Sequence, residues 1–171
     1  MSKSKKEWDG IVKQTGKLMS EMLKTLDIDA ETKIDKSSYK DLEGNEEDFI
    51  DVNIEGEDLG VLIGYMGKNL RSFQKIFGMI LNKAVAAEGE EDNFVRVVID
   101  VSGYRDNRKD SLEAMANRIR DEVVSSEESV DLPPMSSFER RVIHVTLREH
   151  EDVTTESFGE GPERHVRVSP A

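Results

Sequence analysis

The sequence predicts an α+β protein built from two small domains. Apolar residues recur at helical spacing over residues 5–26, and they alternate with polar residues over 50–55, as in a half-buried strand. Both patterns return after residue 103. A chain of 171 residues accommodates one or two domains. We therefore predict a first domain over residues 1–103 and a second over 104–171.

The first domain is predicted to contain six elements in the order helix, strand, strand, helix, helix, strand. Its segments are a helix over 5–26, a weak strand over 31–40, a turn at 43–46, a strand around 50–54, a short helix over 57–63, a basic helix after residue 67, an acidic loop over 88–92 and a strand over 94–101. Phe73 and Phe77 share the apolar stripe of the basic helix, so we expect both in the core.

The second domain is predicted to begin with a helix over 107–125 capped by Asp106. Leu132-Pro-Pro then stops regular structure, and the capping box of Ser136 and Glu139 opens a helix that runs through Leu147. Residues 153–158 and 163–168 flank a turn that contains Gly159 and Gly161. This pattern predicts a β-hairpin.

The overall composition limits the classes of function. The chain carries 24 Lys and Arg against 36 Asp and Glu, a net charge of −12, which argues against a protein that coats polyanions along its whole surface. It contains no Cys, so it has neither disulfides nor thiolate zinc sites. The sequence shows no apolar signal core and no run of 18 apolar residues, so we expect a soluble intracellular protein.

One stretch departs from this acidic balance. Residues 59–83 hold four bases and no acid, and the turn Gly64-Tyr65-Met66-Gly67 lies at their centre. Glycine permits close approach of a nucleic-acid backbone, and the start of a helix favours anions. The candidate nucleic-acid-binding residues here are Ile63, Gly64, Tyr65, Met66, Gly67, Lys68, Asn69 and Arg71. The competing interpretation is a turn that merely joins two helices.

A second candidate site lies in the other domain. Arg140 and His144 are four residues apart, so one helix face carries both, and we expect them to face solvent while Phe138, Val142 and Val145 point inward. A guanidinium beside an imidazole can hold a phosphate and the adjacent sugar or base. The candidate residues are Arg140, Arg141, His144, Arg164 and Arg167. The competing interpretation is ordinary surface polarity.

The motifs of nucleotide-binding enzymes are absent. A Walker loop ending at Gly67-Lys68 would need Gly at position 62 and Ser or Thr at position 69, where the chain has Leu62 and Asn69. Three histidines without a His-x-x-x-His pattern give no zinc site, and no Ser lies in a Gly-x-Ser-x-Gly elbow. We therefore predict a protein that is not an enzyme and that needs no cofactor and no metal.

These residues together resemble a known pair of domains. The element order around Ile63-Gly64-x-x-Gly67 resembles a type II KH domain, a three-stranded sheet with helices on one face. The segment from Leu132 to His144, followed by residues 153–168, resembles the Arg-x-x-x-His ("R-three-H") domain that binds single-stranded nucleic acid. The two in this order resemble the bacterial Jag (KhpB/EloR-like) family. Many of its members begin with an additional small domain, which we expect this chain to lack.

The resemblance implies a cytoplasmic protein that binds single-stranded RNA, or alternatively single-stranded DNA, as a post-transcriptional regulator linked to cell elongation or division. The resemblance also allows a homodimer, or a heterodimer with a small single-KH protein. Tyr65 and Met66 occupy loop positions that are often basic in KH domains, and Lys68 and Arg71 are expected to compensate. The alternative function is a protein-interaction or dimerisation scaffold with a KH fold and little RNA binding.

Overall fold

The computed structural model describes residues 3–40, 44, 46–87 and 94–171. The chain divides into two compact units, Met1–Tyr104 and Arg105–Ala171. The predicted turn at 43–46 falls outside the described residues except for Gly44 and Glu46, and the predicted loop at 88–92 falls outside them entirely. A division into two independently folding domains at residues 103 and 104 stays a prediction.

The first unit has the predicted α+β order of elements. Its helices and strands are α1 (Lys5–Thr25), β1 (Glu31–Lys40), β2 (Glu46–Glu55), α2 (Gly60–Ile63), a 3-10 turn (Tyr65–Gly67), α3 (Lys68–Ala87) and β3 (Arg96–Val101). The last strand is shorter than expected: Phe94 precedes it and is 81% exposed. The α+β prediction for this unit is confirmed.

The first helix follows from its sequence. Ser4 and Glu7 form a capping box that satisfies backbone N–H groups at its start. Trp8, Ile11 and Met19 are buried at helical spacing along one face. This face packs on the sheet and places the only Trp of the chain in the core.

The three strands form one sheet in the order β1-β2-β3. β1 and β2 are antiparallel, whereas β2 and β3 are parallel. A parallel pair needs a crossover connection, which α2 and α3 supply. Ile50, Val52 and Ile54 alternate along β2 on the buried face and join a core that includes Phe73 and Phe77, as predicted. The loop at residues 64–67 therefore lies within the crossover, immediately before the basic helix.

The second unit forms a separate small α+β structure. Its elements are α4 (Tyr104–Ser126), whose first residue still belongs to the first unit, β4 (Val130–Asp131), α5 (Ser137–Leu147), β5 (Val153–Phe158) and β6 (His165–Pro170). The strands form a sheet in the order β4-β6-β5, and β5 and β6 make the predicted antiparallel hairpin. The sequence analysis missed β4, a two-residue strand too short to show alternation.

The start of α4 corrects one expectation. The helix begins at Tyr104, so Asp106 lies in its first turn and is not its N-cap. An acidic side chain in the first turn still interacts favourably with the helix dipole. Along the helix, Leu112, Ala116 and Val123 are buried in the core of this unit, as the predicted apolar face requires.

The orientation of α5 also differs from the prediction. Its capping box forms between Ser136 and Glu139, but the buried side chains are Glu139, Val142, Ile143 and Leu147. Phe138 and Val145, which were expected to point inward, are 57% and 49% exposed. The Glu139 carboxylate is buried, where the capping box and Arg108 supply its hydrogen bonds, so the inward face of the helix carries Glu139, Ile143 and Leu147. Arg140 and His144 contact β5.

No helix among the described residues is long and apolar enough to cross a membrane. In the same part of the chain, no group of three or more His, Asp or Glu side chains is arranged to hold a metal ion.

Candidate nucleic-acid interface

The loop at residues 64–67 has an unusual backbone. Gly64 has φ 67° and ψ 179°, Gly67 has φ 69°, and Met66 between them has φ 50° and ψ 37°. The Gly64 conformation belongs almost only to glycine, because a Cβ atom would clash there. Met66 is a bulky residue in the left-handed region, which costs about 1–2 kcal/mol. The surrounding contacts must therefore hold the loop in place.

Two side chains from α3 supply such contacts. Asn69 Nδ2 donates to the Val61 carbonyl oxygen at 2.8 Å, and Arg71 Nη1 donates to the Met66 carbonyl oxygen at 2.9 Å. A Cβ atom on Gly64 would lie 2.7 Å from Asn69 Nδ2. Asn69 and Arg71 thus both lie at the loop, and each stabilises its shape with at least one hydrogen bond.

A residue distant in sequence packs against the second glycine. A Cβ atom on Gly67 would lie 2.8 Å from Tyr104 Cε1 and 3.1 Å from the Tyr104 hydroxyl oxygen. The sequence analysis missed Tyr104, since nothing in a local pattern indicates a contact between positions so far apart in the chain. Gly67 is required here both for its positive φ and for the close approach of this ring.

The exposed part of the loop is aromatic and basic. Tyr65 is 72% exposed, and Lys68 Nζ lies 5.7 Å from the centroid of its ring. Ile63 and Met66 are half-buried, so Met66 is less accessible than an exposed turn residue would be. An exposed ring beside a cation can stack on a base while the ammonium group meets a phosphate.

The candidate site in the second unit lies between α5 and β5. Arg140 Nη1 donates to Ser157 Oγ at 3.1 Å, and Arg140 Nη2 donates to Ser137 Oγ at 2.9 Å. His144 Nε2 lies 2.9 Å from the same Ser157 Oγ, and His144 Nδ1 lies 2.7 Å from Thr155 Oγ1. We call Arg140, His144, Thr155 and Ser157 the Arg–His network. Arg140 and His144 are brought together as predicted.

These two side chains are half-buried and not fully solvent-facing as expected. The orientation of α5 places them against Thr155 and Ser157, at inward positions of β5. Burial, and next the charge of Arg140, lower the pKa of His144 below its ordinary value. His144 is therefore neutral at pH 7, and Arg140 carries the positive charge of the pair.

The hydroxyl groups of the network were missed by the sequence analysis. Thr155 and Ser157 alternate along β5 on the face that also buries Val153, and in the hairpin they are paired with the buried Val168 and Val166. Small polar residues at inward strand positions need hydrogen-bond partners. That pattern was a signal that a polar group from another element would meet them.

An ion pair between the half-buried Arg108 and the buried Glu139 fixes the start of α5. Arg108 donates from Nε and Nη2 to Glu139 Oε1 at 2.9 and 2.8 Å, and Ser136 Oγ donates to Glu139 Oε2 at 2.7 Å. Burial alone would raise the pKa of Glu139, but the hydrogen bonds from Ser136 and then Arg108 outweigh it, so the pKa is lowered. The carboxylate is charged at pH 7 and holds the turn that precedes Arg140.

The remaining predicted arginines are not gathered at one place. Arg141 and Arg164 are exposed. Arg167 donates to both carboxylate oxygens of Asp131 at 2.6 and 2.7 Å and lies 4.5 Å from the Phe158 ring centroid. It is paired with Glu156 across the hairpin, so it lies on the sheet face opposite Thr155 and Ser157. Asp131 neutralises the charge of Arg167.

Comparison with known proteins bears on both units. The family model described as the R-three-H domain, the Arg-x-x-x-His domain of the sequence analysis, matches residues 110–170. The chain is 40% identical over 120 residues to the RNA-binding protein KhpB of Clostridium symbiosum, a match that covers 70% of this chain and 51% of that protein. The chain is a Jag-like (KhpB-like) protein with an R-three-H domain.

Two further relatives extend the similarity. The RNA-binding protein KhpB of Bacillus subtilis is 34% identical over 119 residues, which covers 68% of this chain and 54% of that protein. The KhpB protein of Lactiplantibacillus plantarum is 34% identical over 121 residues, covering 71% of this chain and 36% of its own length. The chain thus spans about half the length, or less, of the curated relatives that it matches. The resemblance to the Jag family is confirmed.

Proposed function

We propose that this Jag-like protein binds single-stranded RNA through two sites, the 64–67 loop of the first unit and the Arg–His network of the second. The observation that carries the proposal is the loop itself. Its two positive-φ glycines, the half-buried Gly64 and the buried Gly67, shape a turn that presents the exposed Tyr65 at the start of a helix whose first turns carry only basic charges. The relatives named RNA-binding proteins support the same function.

The loop is suited to bind the sugar-phosphate backbone of a short unpaired RNA segment. Lys68 and Arg71 are exposed at the start of α3, where the helix dipole adds to their positive charge. Domains of the KH kind clamp about four nucleotides at such a loop, with the bases against an apolar groove. Tyr65 would stack on one base, because its ring is open to solvent and needs no rearrangement.

The second site suits a single phosphate. A guanidinium group carries five N–H donors, and two of those on Arg140 point to the hydroxyls of Ser157 and Ser137. Three N–H donors remain, one on each Nη atom and the buried Nε–H, which has no partner among the described residues, and two guanidinium N–H groups can hold two phosphate oxygens. Two sites joined by one chain would raise the apparent affinity through effective concentration.

Other parts of the proposal follow from this binding role. We infer a protein without catalytic activity that works in the cytoplasm as a post-transcriptional regulator linked to cell elongation or division. Single-stranded DNA is a second ligand to be tested against RNA. The family model that matches residues 110–170 is that of a nucleic-acid-binding domain, which supports a binding role for the second unit.

The first experiment measures binding of a labelled 15-nucleotide single-stranded RNA of mixed sequence at several salt concentrations. Tyr65→Asp places a negative charge at the loop tip and removes the stacking ring, so we expect RNA binding to weaken at least about tenfold at low salt. The matched control is Ser20→Asp, which makes the same charge change at an exposed position of α1. Equal affinity of both variants and the wild type would exclude the loop as a binding site.

A second candidate function is a dimerisation scaffold, and an exposed apolar patch supports it. Ile76, Met79 and Ile80 on α3 are 51%, 66% and 41% exposed, and Phe94 is 81% exposed. Contiguous exposed apolar surface commonly marks an interface. We propose a second copy of the chain as its partner, with a small single-KH protein as the alternative.

Sedimentation analysis tests this scaffold. We expect Met79→Glu to convert a wild-type dimer into a monomer, while Val124→Glu, at a 46% exposed position of α4, leaves the dimer intact. A wild-type monomer that forms a complex only after a single-KH protein is added would replace the homodimer with the heterodimer. A monomer under both conditions would remove the scaffold function.

A further inference from the structure

In the second unit, the hydroxyl groups of Thr155 and Ser157 lie on either side of the His144 ring. Both ring nitrogens of His144 already have partners within hydrogen-bond distance, Thr155 Oγ1 at 2.7 Å and Ser157 Oγ at 2.9 Å. A neutral imidazole has one N–H donor and one acceptor nitrogen. Neither nitrogen is therefore open to a ligand, and His144 acts on the protein's own side chains.

The direction of the hydrogen bonds follows from Arg140. A guanidinium group only donates, so Ser157 Oγ accepts from Arg140 Nη1. If Ser157 then donates its own proton to His144 Nε2, the bonds run head to tail and each strengthens the next. The proton of the neutral ring is then on Nδ1 and is donated to Thr155 Oγ1.

The opposite tautomer is less favourable for electrostatic reasons. It would place the ring N–H on Nε2, the nitrogen that shares Ser157 Oγ with the positively charged Arg140. Ser157 Oγ would then accept two bonds, and its own proton would have no acceptor within the network. The charge of Arg140 favours the ring proton on the more distant Nδ1.

We propose that Ser157 and Thr155 are positioning residues, which orient the Arg140 guanidinium for a nucleic-acid phosphate through a neutral His144 protonated on Nδ1. The inference rests on the proposed RNA-binding function of the second unit. Ser157 and Ser137 hold the two Nη atoms of Arg140 from the protein side. The remaining Nη N–H groups are thereby fixed in direction before RNA arrives, which lowers the ordering cost of binding.

The first test is a set of binding measurements on the full chain with the same 15-nucleotide RNA. Ser157→Ala removes the shared hydroxyl, and we expect affinity to fall about three- to tenfold. Ser157→Thr keeps a hydroxyl and should bind within about twofold of the wild type. The matched control is Thr154→Val, at an exposed position on the other face of β5, and it should not change affinity.

A double-mutant cycle separates positioning from direct contact. Because Ser157 acts through Arg140, the variant with both Arg140→Ala and Ser157→Ala should bind no more weakly than Arg140→Ala alone. Losses that simply multiply would show that Ser157 contributes independently and would overturn the proposal. Equal losses in Ser157→Ala and Thr154→Val would overturn it too, since both would then reflect a general change in β5.

The second test needs no RNA. Correlation of ring nitrogens with ring protons by NMR, assigned with His144→Asn, reports the tautomer of His144 directly. We expect the Nδ1–H form in the wild type and a loss of this preference in Ser157→Ala. An Nε2–H form in the wild type would overturn the proposal. If the wild type binds no RNA, the proposed function fails, and the tautomer still decides whether the network is arranged as described.

Discussion

Replacement of Gly64 by Ala tests whether backbone geometry makes the loop. Gly64 has φ 67° and ψ 179°, a conformation in which residues with a Cβ atom are strained. The new Cβ atom would lie 2.7 Å from Asn69 Nδ2 and would displace that side chain. Asn69 would then lose its 2.8 Å hydrogen bond to the Val61 carbonyl oxygen.

The magnitude follows from these two effects. The backbone strain costs about 1–3 kcal/mol. Loss of the Asn69 hydrogen bond adds about 0.5–1.5 kcal/mol. We therefore expect the free energy of unfolding of the first unit to fall by about 2–4 kcal/mol, a large part of the stability of a small domain.

Urea unfolding followed by tryptophan fluorescence measures this change. Trp8 is the only Trp of the chain and is 7% exposed in the core of the first unit, so its emission reports on that unit. The urea midpoint of Gly64→Ala should fall by about 1–2 M without a change in slope. Gly78→Ala is the control: it lies within α3, and its new Cβ atom would meet nothing within 4 Å.

The control should be neutral or more stable by up to about 1 kcal/mol, because Ala is the better helix former. If Gly64→Ala unfolds at the same urea concentration as Gly78→Ala, the loop does not depend on the glycine conformation. The glycine conformation and the Asn69 contact would then not hold the loop in place.

The remaining predictions concern the second unit. In Arg140→Ala, the slope of the logarithm of RNA affinity against the logarithm of salt concentration should be shallower by about 0.7, the value for one phosphate contact on a single strand. An unchanged slope would show that Arg140 contacts no phosphate. The pKa of His144 is lowered in the folded state, so folding favours the neutral ring. The stability that the neutral ring contributes is complete above the ordinary pKa of His, about 6.5, and is lost as pH falls through the lowered pKa. Unfolding of the second unit between about pH 8 and pH 5 should show this loss in the wild type and not in His144→Asn. The pKa of Glu139 is also lowered, so a second loss should appear below about pH 4.5, and its absence would show that the ion pair with Arg108 adds no stability.

Much of the candidate site could be predicted because its signals are local. The loop combines two glycines, a following run of bases and no acid within one short stretch, and each of these can be read without the fold. The spacing of Arg140 and His144 places them on one helix face for the same reason. Their surroundings could not be predicted, because the sequence does not show which face of α5 packs against β5, the strand that carries Thr155 and Ser157.

The sequence by itself determined the order of the helices and of every strand except β4, the capping box of α5 and the basic start of α3. Periodicity, caps and charge act between residues a few positions apart, so they remain visible in the linear chain. Only the tertiary structure decided that Phe138 faces outward, that Tyr104 packs against Gly67 and that Arg108 neutralises Glu139. These outcomes depend on contacts between residues far apart in the sequence, where polar groups must find partners and side chains must fill space together.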